Sequence, residues 1–160
     1  MTIRTILITE DLTTLQMVPP ILENDPDIEV EIVSTVREEE NILKRAREAQ
    51  PRVAILDVGA LPRHIDPVTL VVKLKQVSPS VDVVALLKCV HTIFAKRFVH
   101  CETRGCLMLA DERILSLNEV VRQVTKGYWI YSQQVLKACF DLPGPMLDQE
   151  VEILRLVYHG

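Results

Sequence analysis

Three carboxylates stand out by where they fall in the chain. Glu10 and Asp11 directly follow a short β-rich run at residues 6–9, and Asp57 sits in the apolar run VAILDV at 53–58. In an open parallel sheet, ligands bind beyond the carboxyl ends of the strands. With the usual strand order these two strands are neighbours, so the three acids are expected to converge. Like charges a few ångströms apart repel and raise one another's pKa unless a cation neutralises them. A hard divalent ion, most simply Mg²⁺ keeping several waters, suits that task, with the Gly59 carbonyl as a further oxygen ligand. Taken singly, Glu10 and Asp11 also suit the start of a loop and the cap of the next helix. Two acidic strand ends together favour the site.

Other chemistry is poorly supported. Cys89, His91, His100 and Cys101 carry zinc-binding atoms, but C-x-H followed by H-C fits no finger or ribbon spacing. A nucleophilic cysteine with a histidine base has no better pattern. The five glycines (59, 105, 127, 144 and 160) are too far apart for G-x-G-x-x-G or G-x-x-x-x-G-K, which excludes dinucleotide and P-loop binding.

The elements that must position the carboxylates alternate regularly. A helix follows Asp11, with Pro19 and Pro20 predicting a break near Met17. Ile28, Val30 and Ile32 alternate with Glu29 and Glu31, the pattern of a strand with one wet face near a sheet edge. Residues 38–50 form an amphipathic helix with acids first and bases last, matching the helix dipole. The run at 53–58 reads as a central buried strand, and Asp66 with Pro67 opens a helix that Pro79 ends. Residues 81–87 form the next strand, 92–103 a helix with Phe94, Phe98 and Cys101 on one face, and 106–109 a fifth strand. Ser116 and Glu119 make a capping box for a helix closed by Gly127. Five β-α units in succession predict a doubly wound, five-stranded parallel sheet. Trp129, flanked by Tyr128, Ile130 and Tyr131, suits either an exposed interface patch or packing on the fifth helix. A short helix to Phe140, the linker-like DLPGP (141–145) and a new amphipathic helix from Leu147 then follow.

The chain has 160 residues, 48% apolar and 25% charged, with a net charge of −4. That is one domain with some length to spare. The acidic balance argues against a stand-alone nucleic-acid or membrane-surface binder. Asp82, Lys73 and Lys75 interrupt the apolar stretches, so no membrane span is expected, and the start does not read as a signal peptide. Four irregularly spaced cysteines suit a cytoplasmic protein with reduced thiols.

Residues 3 to about 127, with the acidic pair in ITED and Asp57 in VAILDV, resemble the receiver domain of bacterial two-component response regulators. The stretch NDPDIEV (24–30), the spacing from Arg104-Gly105 to Gly127, and the tail are similar to the NarL/FixJ type. The tail LDQEVEILRLVYHG (147–160) is similar to the opening of a LuxR-type helix-turn-helix domain at Glu150, Glu152, Leu154, Leu156 and Gly160. The resemblance implies a CheY-like, flavodoxin-like receiver at 1–127, a linker with a short helix at 128–145, and the first DNA-domain helix at 146–160. It further implies phosphoryl transfer from a sensor histidine kinase to Asp57, beside a metal held by Glu10, Asp11, Asp57 and Gly59. The protein would be a homodimeric transcription regulator, not an enzyme, contacting DNA only through the domain beyond this chain.

The sequence departs from that family at the positions that read the phosphate. Leu87 stands where a Ser/Thr hydroxyl closes the fourth strand, Leu109 or Ala110 where a Lys closes the fifth, and Cys106 where a switch aromatic often sits. Pro62 comes one residue late, and Pro67 replaces a glycine. A two-state switch needs roughly 5.5 kcal/mol of differential stabilisation, and each charge-assisted hydrogen bond supplies about 1.5–3 kcal/mol. Losing both groups removes most of that drive, so a degenerate receiver is expected. Lys88 reads either as an exposed residue opening a loop or as a replacement cation bending into the site. Two other readings are a phosphate-independent dimerisation module and a small Mg²⁺-dependent phosphatase-like enzyme. The latter needs a second acid two residues after Asp57, where Gly59 stands.

Overall fold

The computed structural model describes residues 1–89 and 92–141. Strands β1 (Ile3–Ile8), β2 (Ile28–Val33), β3 (Val53–Asp57), β4 (Asp82–Leu87), β5 (Gly105–Met108) and β6 (Ile130–Tyr131) form one sheet in the order β2-β1-β3-β4-β5-β6. All its pairings are parallel. Helices α1 (Leu12–Glu23), α2 (Glu39–Ala49), α3 (Pro67–Val77), α4 (Thr92–His100), α5 (Leu117–Thr125) and α6 (Gln133–Asp141) complete the chain.

Period-two alternation along the strands builds two cores. Ile6, Ile8, Ala54, Leu56, Val83, Ala85 and Cys106 face one side, where α2, α3, α4 and α6 contribute Ile42, Leu74, Phe98 and Val135. Leu7, Val53, Ile55, Val84, Leu86 and Leu107 face the other, against Val18 and Leu22 of α1 and Val120, Val121 and Val124 of α5. Every residue of β3 is buried, as its unbroken apolar run requires, and β2 lies at the edge, as its alternation suggests.

Several local expectations need correcting. Helix α1 runs unbroken through Pro19 and Pro20, although both lack an amide donor. Val18, Pro19 and Leu22 are buried, and that tertiary packing holds the helix across the missing bonds. Ser116 makes no side-chain cap. A 3₁₀ turn, Glu112–Ser116, feeds directly into α5, and Asp111 caps that turn instead. Helix α4 ends at His100, and Glu102 turns left-handed at φ 59°.

The sheet also continues past residue 127. The Ile130 amide donates to the Arg104 carbonyl at 2.9 Å and the Ser132 amide to the Cys106 carbonyl at 3.0 Å, which makes β6 a sixth strand. Trp129 is buried, not an exposed patch, with the Arg104 guanidinium 4.8 Å from its ring centroid. Helix α6 buries Val135, Ala138 and Cys139. The rest of the expected linker and the expected DNA-domain helix, residues 142–160, lie outside the described residues.

Candidate functional site

The carboxyl ends of β1 and β3 bring Thr9, Asp11, Thr14 and Asp57 together. Strand alternation sends Thr9 and Asp11 toward the face Asp57 occupies, while Glu10 points the other way. Asp11 is the N-cap of α1: its Oδ2 accepts the Thr14 amide at 3.1 Å and lies 3.1 Å from the Thr14 hydroxyl. That places Thr14 one helical turn in, with its Oγ1 also 2.8 Å from Asp57 Oδ2. The Thr9 hydroxyl donates to the same Asp57 oxygen at 2.8 Å and accepts the Asp11 amide at 3.0 Å. Two threonine hydroxyls therefore meet one carboxylate oxygen. Asp57 is completely buried, and its Oδ1 has no hydrogen-bond partner among the described residues.

Asp11 is held below the usual carboxylate range, chiefly by the Thr14 amide, against some opposition from burial and with help from the Thr14 hydroxyl and the Lys88 charge. Lys88 leaves the end of β4 and bends back over the site. Its stem lies so close above Gly59 that a Cβ there would meet Lys88 Cδ at 3.1 Å. Its Nζ comes within 3.7 Å of Asp11 Oδ1. Lys88 shows features of both readings: its side chain is 54% exposed, and its ammonium faces Asp11.

The convergence of three carboxylates is not found. Glu10 is exposed and faces Arg37 at 3.9 Å. Among the described residues, no group of three or more His, Cys, Asp or Glu side chains could hold a metal ion. Hydroxyls engage Oδ2 of both Asp11 and Asp57, an ammonium stands at Asp11 Oδ1, and the Lys88 stem crosses the Gly59 backbone. The Lys88 ammonium thus stands beside Asp11 where a metal cation would sit, and Asp57 Oδ1 is a site oxygen without a partner among the described residues.

The remaining switch positions carry no hydroxyl or cation. Leu87 is buried in the core, Leu109 is half-buried with its amide donating to the Leu87 carbonyl at 2.8 Å, and Ala110 is exposed. Cys106 is fully enclosed, and burial pushes its thiol well above the ordinary range. Nor do the zinc-binding side chains assemble among the described residues: the Cys101 thiol pairs with the Thr103 hydroxyl at 3.3 Å, and His91 lies outside the described residues.

Thr9 and Thr14 are the site residues that sequence reasoning missed. One signal was available: Asp11 followed three residues later by Thr14 is the spacing of a capped helix start. Nothing in the sequence links either threonine to Asp57, which is more than forty positions away.

Neither a protein-family profile nor a curated protein matches the sequence, so comparison rests on solved structures. A LuxR-family two-component response regulator from Aurantimonas sp. SI85-9A1 superposes with a TM-score of 0.75 at 13% identity, over 88% of this chain and 97% of its own. The RcsB response regulator of Salmonella typhimurium gives 0.75 at 16% identity, over 99% of this chain and 79% of its own. A CheY-like receiver domain protein from Methanospirillum hungatei JF-1 gives 0.67 at 17% identity, over 79% of this chain and 96% of its own. No helix among the described residues is long and apolar enough to cross a membrane. At these identities the likeness establishes architecture, and the architecture of this chain is the doubly wound receiver fold of the response regulators.

Proposed function

We propose that this chain is the regulatory receiver domain of a LuxR-family transcription regulator whose output does not depend on a phospho-aspartate. The observation that carries this reading is the enclosure of Asp57: it is fully buried and its Oδ2 is occupied by two threonine hydroxyls. A phosphoryl acceptor must present a free carboxylate oxygen to an incoming donor, beside a cation that offsets the added charge. Asp57 Oδ2 is taken by the threonines, its unpaired Oδ1 is buried out of a donor's reach, and the Lys88 ammonium stands at Asp11, not at Asp57. The groups that would turn a phosphoryl charge into a conformational preference are aliphatic at Leu87 and at Leu109 and Ala110. Dimerisation, or contact with a DNA-binding domain begun by residues 146–160, would carry the output in the cytoplasm. A docking histidine kinase is dispensable in this scheme.

Incubation with acetyl phosphate and Mg²⁺ tests the reading, scored by intact mass. The wild-type chain is expected to gain no phosphoryl group. Stoichiometric uptake that disappears in Asp57→Asn overturns it and makes the chain an ordinary phospho-receiver.

A further inference from the structure

Beside the carboxylate site, a cavity of 420 Å³ opens between the segment after β3 and the start of α4. Its wall is apolar, with Leu61, Ile65, Leu87 and Phe94, and its rim carries Arg63, His64 and Lys88. Leu87 belongs to both stories: the leucine that removes a hydroxyl from the carboxylate site also lines this cavity. The volume falls within the range of about 300–1,000 Å³ typical of small-molecule pockets.

Charge decides what kind of molecule fits. The carboxylate in the lining, Asp66, is already engaged. It accepts the Thr69 amide at 2.9 Å and the Thr69 hydroxyl at 2.6 Å, and Arg97 clasps it at 3.2 and 2.9 Å. Lys88 is engaged more loosely: its Nζ forms an ion pair with Asp11 Oδ1 at 3.7 Å, and its side chain is 54% exposed. Arg63 and His64 are exposed. The rim therefore has cationic donors in excess around an apolar interior.

We propose that this cavity binds a small apolar carboxylate, with its hydrocarbon body against Leu61, Ile65, Leu87 and Phe94 and its carboxylate on Lys88 and Arg63. An anion on Lys88 competes with Asp11 for the ammonium. Because Asp11 shares the Thr14 hydroxyl with Asp57, such a ligand acts on the enclosed carboxylate site directly. The proposal goes beyond the phosphate-independent reading by naming a chemical input, and it stands or falls on binding alone.

Calorimetric titration of the full chain with octanoate and with octanamide, its uncharged isostere, tests it. Octanoate is expected to bind saturably and about tenfold more tightly than octanamide, as a charge-assisted contact requires. Lys88→Gln, at an exposed position, should remove that preference and leave octanamide binding unchanged. The titration is run without any phosphoryl donor, so failure here is distinguishable from phosphoryl uptake in the mass assay. Absence of saturable octanoate binding, equal affinity for the two probes, or full octanoate affinity in Lys88→Gln overturns the proposal.

Discussion

The Thr14 hydroxyl carries one proton and has two carboxylate oxygens within reach, Asp57 Oδ2 at 2.8 Å and Asp11 Oδ2 at 3.1 Å. It can donate to only one of them at a time, so Asp57 relies on Thr9 as its second donor. Removing a partner from a buried carboxylate costs more than a typical hydrogen bond contributes, about 1–3 kcal/mol. Thr14→Val should therefore lower the unfolding free energy measured in urea by that amount with an unchanged m-value, while Thr14→Ser should stay close to wild type. A Thr14→Val chain as stable as wild type would show that the hydroxyl does not support Asp57. Lys88 makes a second prediction at this scale. With its ammonium beside Asp11, millimolar Mg²⁺ should leave the wild-type Tm unchanged. Lys88→Ala removes the ammonium from Asp11 Oδ1 and the stem from above Gly59, and its Tm should rise with Mg²⁺, since a ligand of the native state alone stabilises it. A Mg²⁺-dependent rise in the wild type would show that the Lys88 ammonium does not keep the cation out.

At the scale of elements, the β6–α6 segment is latched to the domain by a compact polar network. Ser132 Oγ lies at hydrogen-bond distance from Asp111 Oδ2 and accepts the Met108 amide at 2.9 Å, while Arg113 donates to Asp111 at 3.1 Å and to the Tyr131 carbonyl at 2.6 Å. Burial alone would raise the Asp111 carboxyl, but hydrogen bonds from Arg113 and Ser132 outweigh it and hold the group at about 2. A carboxylate depressed in the folded state stabilises fully above its unfolded value, and that contribution is lost as pH falls toward the folded one. The latch should thus loosen between about pH 4 and pH 2. Trp129, the single tryptophan, lies next to β6 and reports it. Its fluorescence should change over this range before the far-ultraviolet circular dichroism collapses, and Asp111→Asn should lose that early acid step. Coincident transitions in wild type and variant would dismiss the latch. The elements themselves were largely legible. The run at 53–58, the acid-to-base gradient of α2 and the Asp66-Pro67 start of α3 each carry a local signal for the structure they adopt. The misses have tertiary causes. Packing of Val18 and Leu22 overrides two prolines in α1, and a strand as short as Ile130–Tyr131 has no periodicity to detect. The acids of the site were visible as strand ends, but the threonines that enclose Asp57 meet it only after three elements have packed.

For the whole molecule, the question is where the cooperative unit ends. The sequence suggests residue 127, where a glycine at φ 92° closes the fifth helix. Among the described residues the structure buries five apolar side chains beyond it, Trp129, Tyr131, Val135, Ala138 and Cys139, together with Ser132. The Tyr131 hydroxyl also reaches back to the Thr103 carbonyl at 2.6 Å. Burial of these side chains is opposed by the entropy cost of ordering the segment, and the segment's larger effect lies in what it covers. Without β6, the short strand β5 becomes the sheet edge, with the Cys106 carbonyl, which accepts the Ser132 amide, left unpaired. Phe98, Val99 and Cys106 share one apolar core with α6 and lose part of their cover. An unpaired apolar edge is a template for association with another chain. A chain cut after residue 127 should therefore self-associate in light scattering and melt below one cut after residue 141. If the 127-residue chain stays monomeric with an unchanged Tm, β6 and α6 are an appendage. If it associates, they complete the domain, and a two-residue strand decides whether the molecule keeps its edge closed.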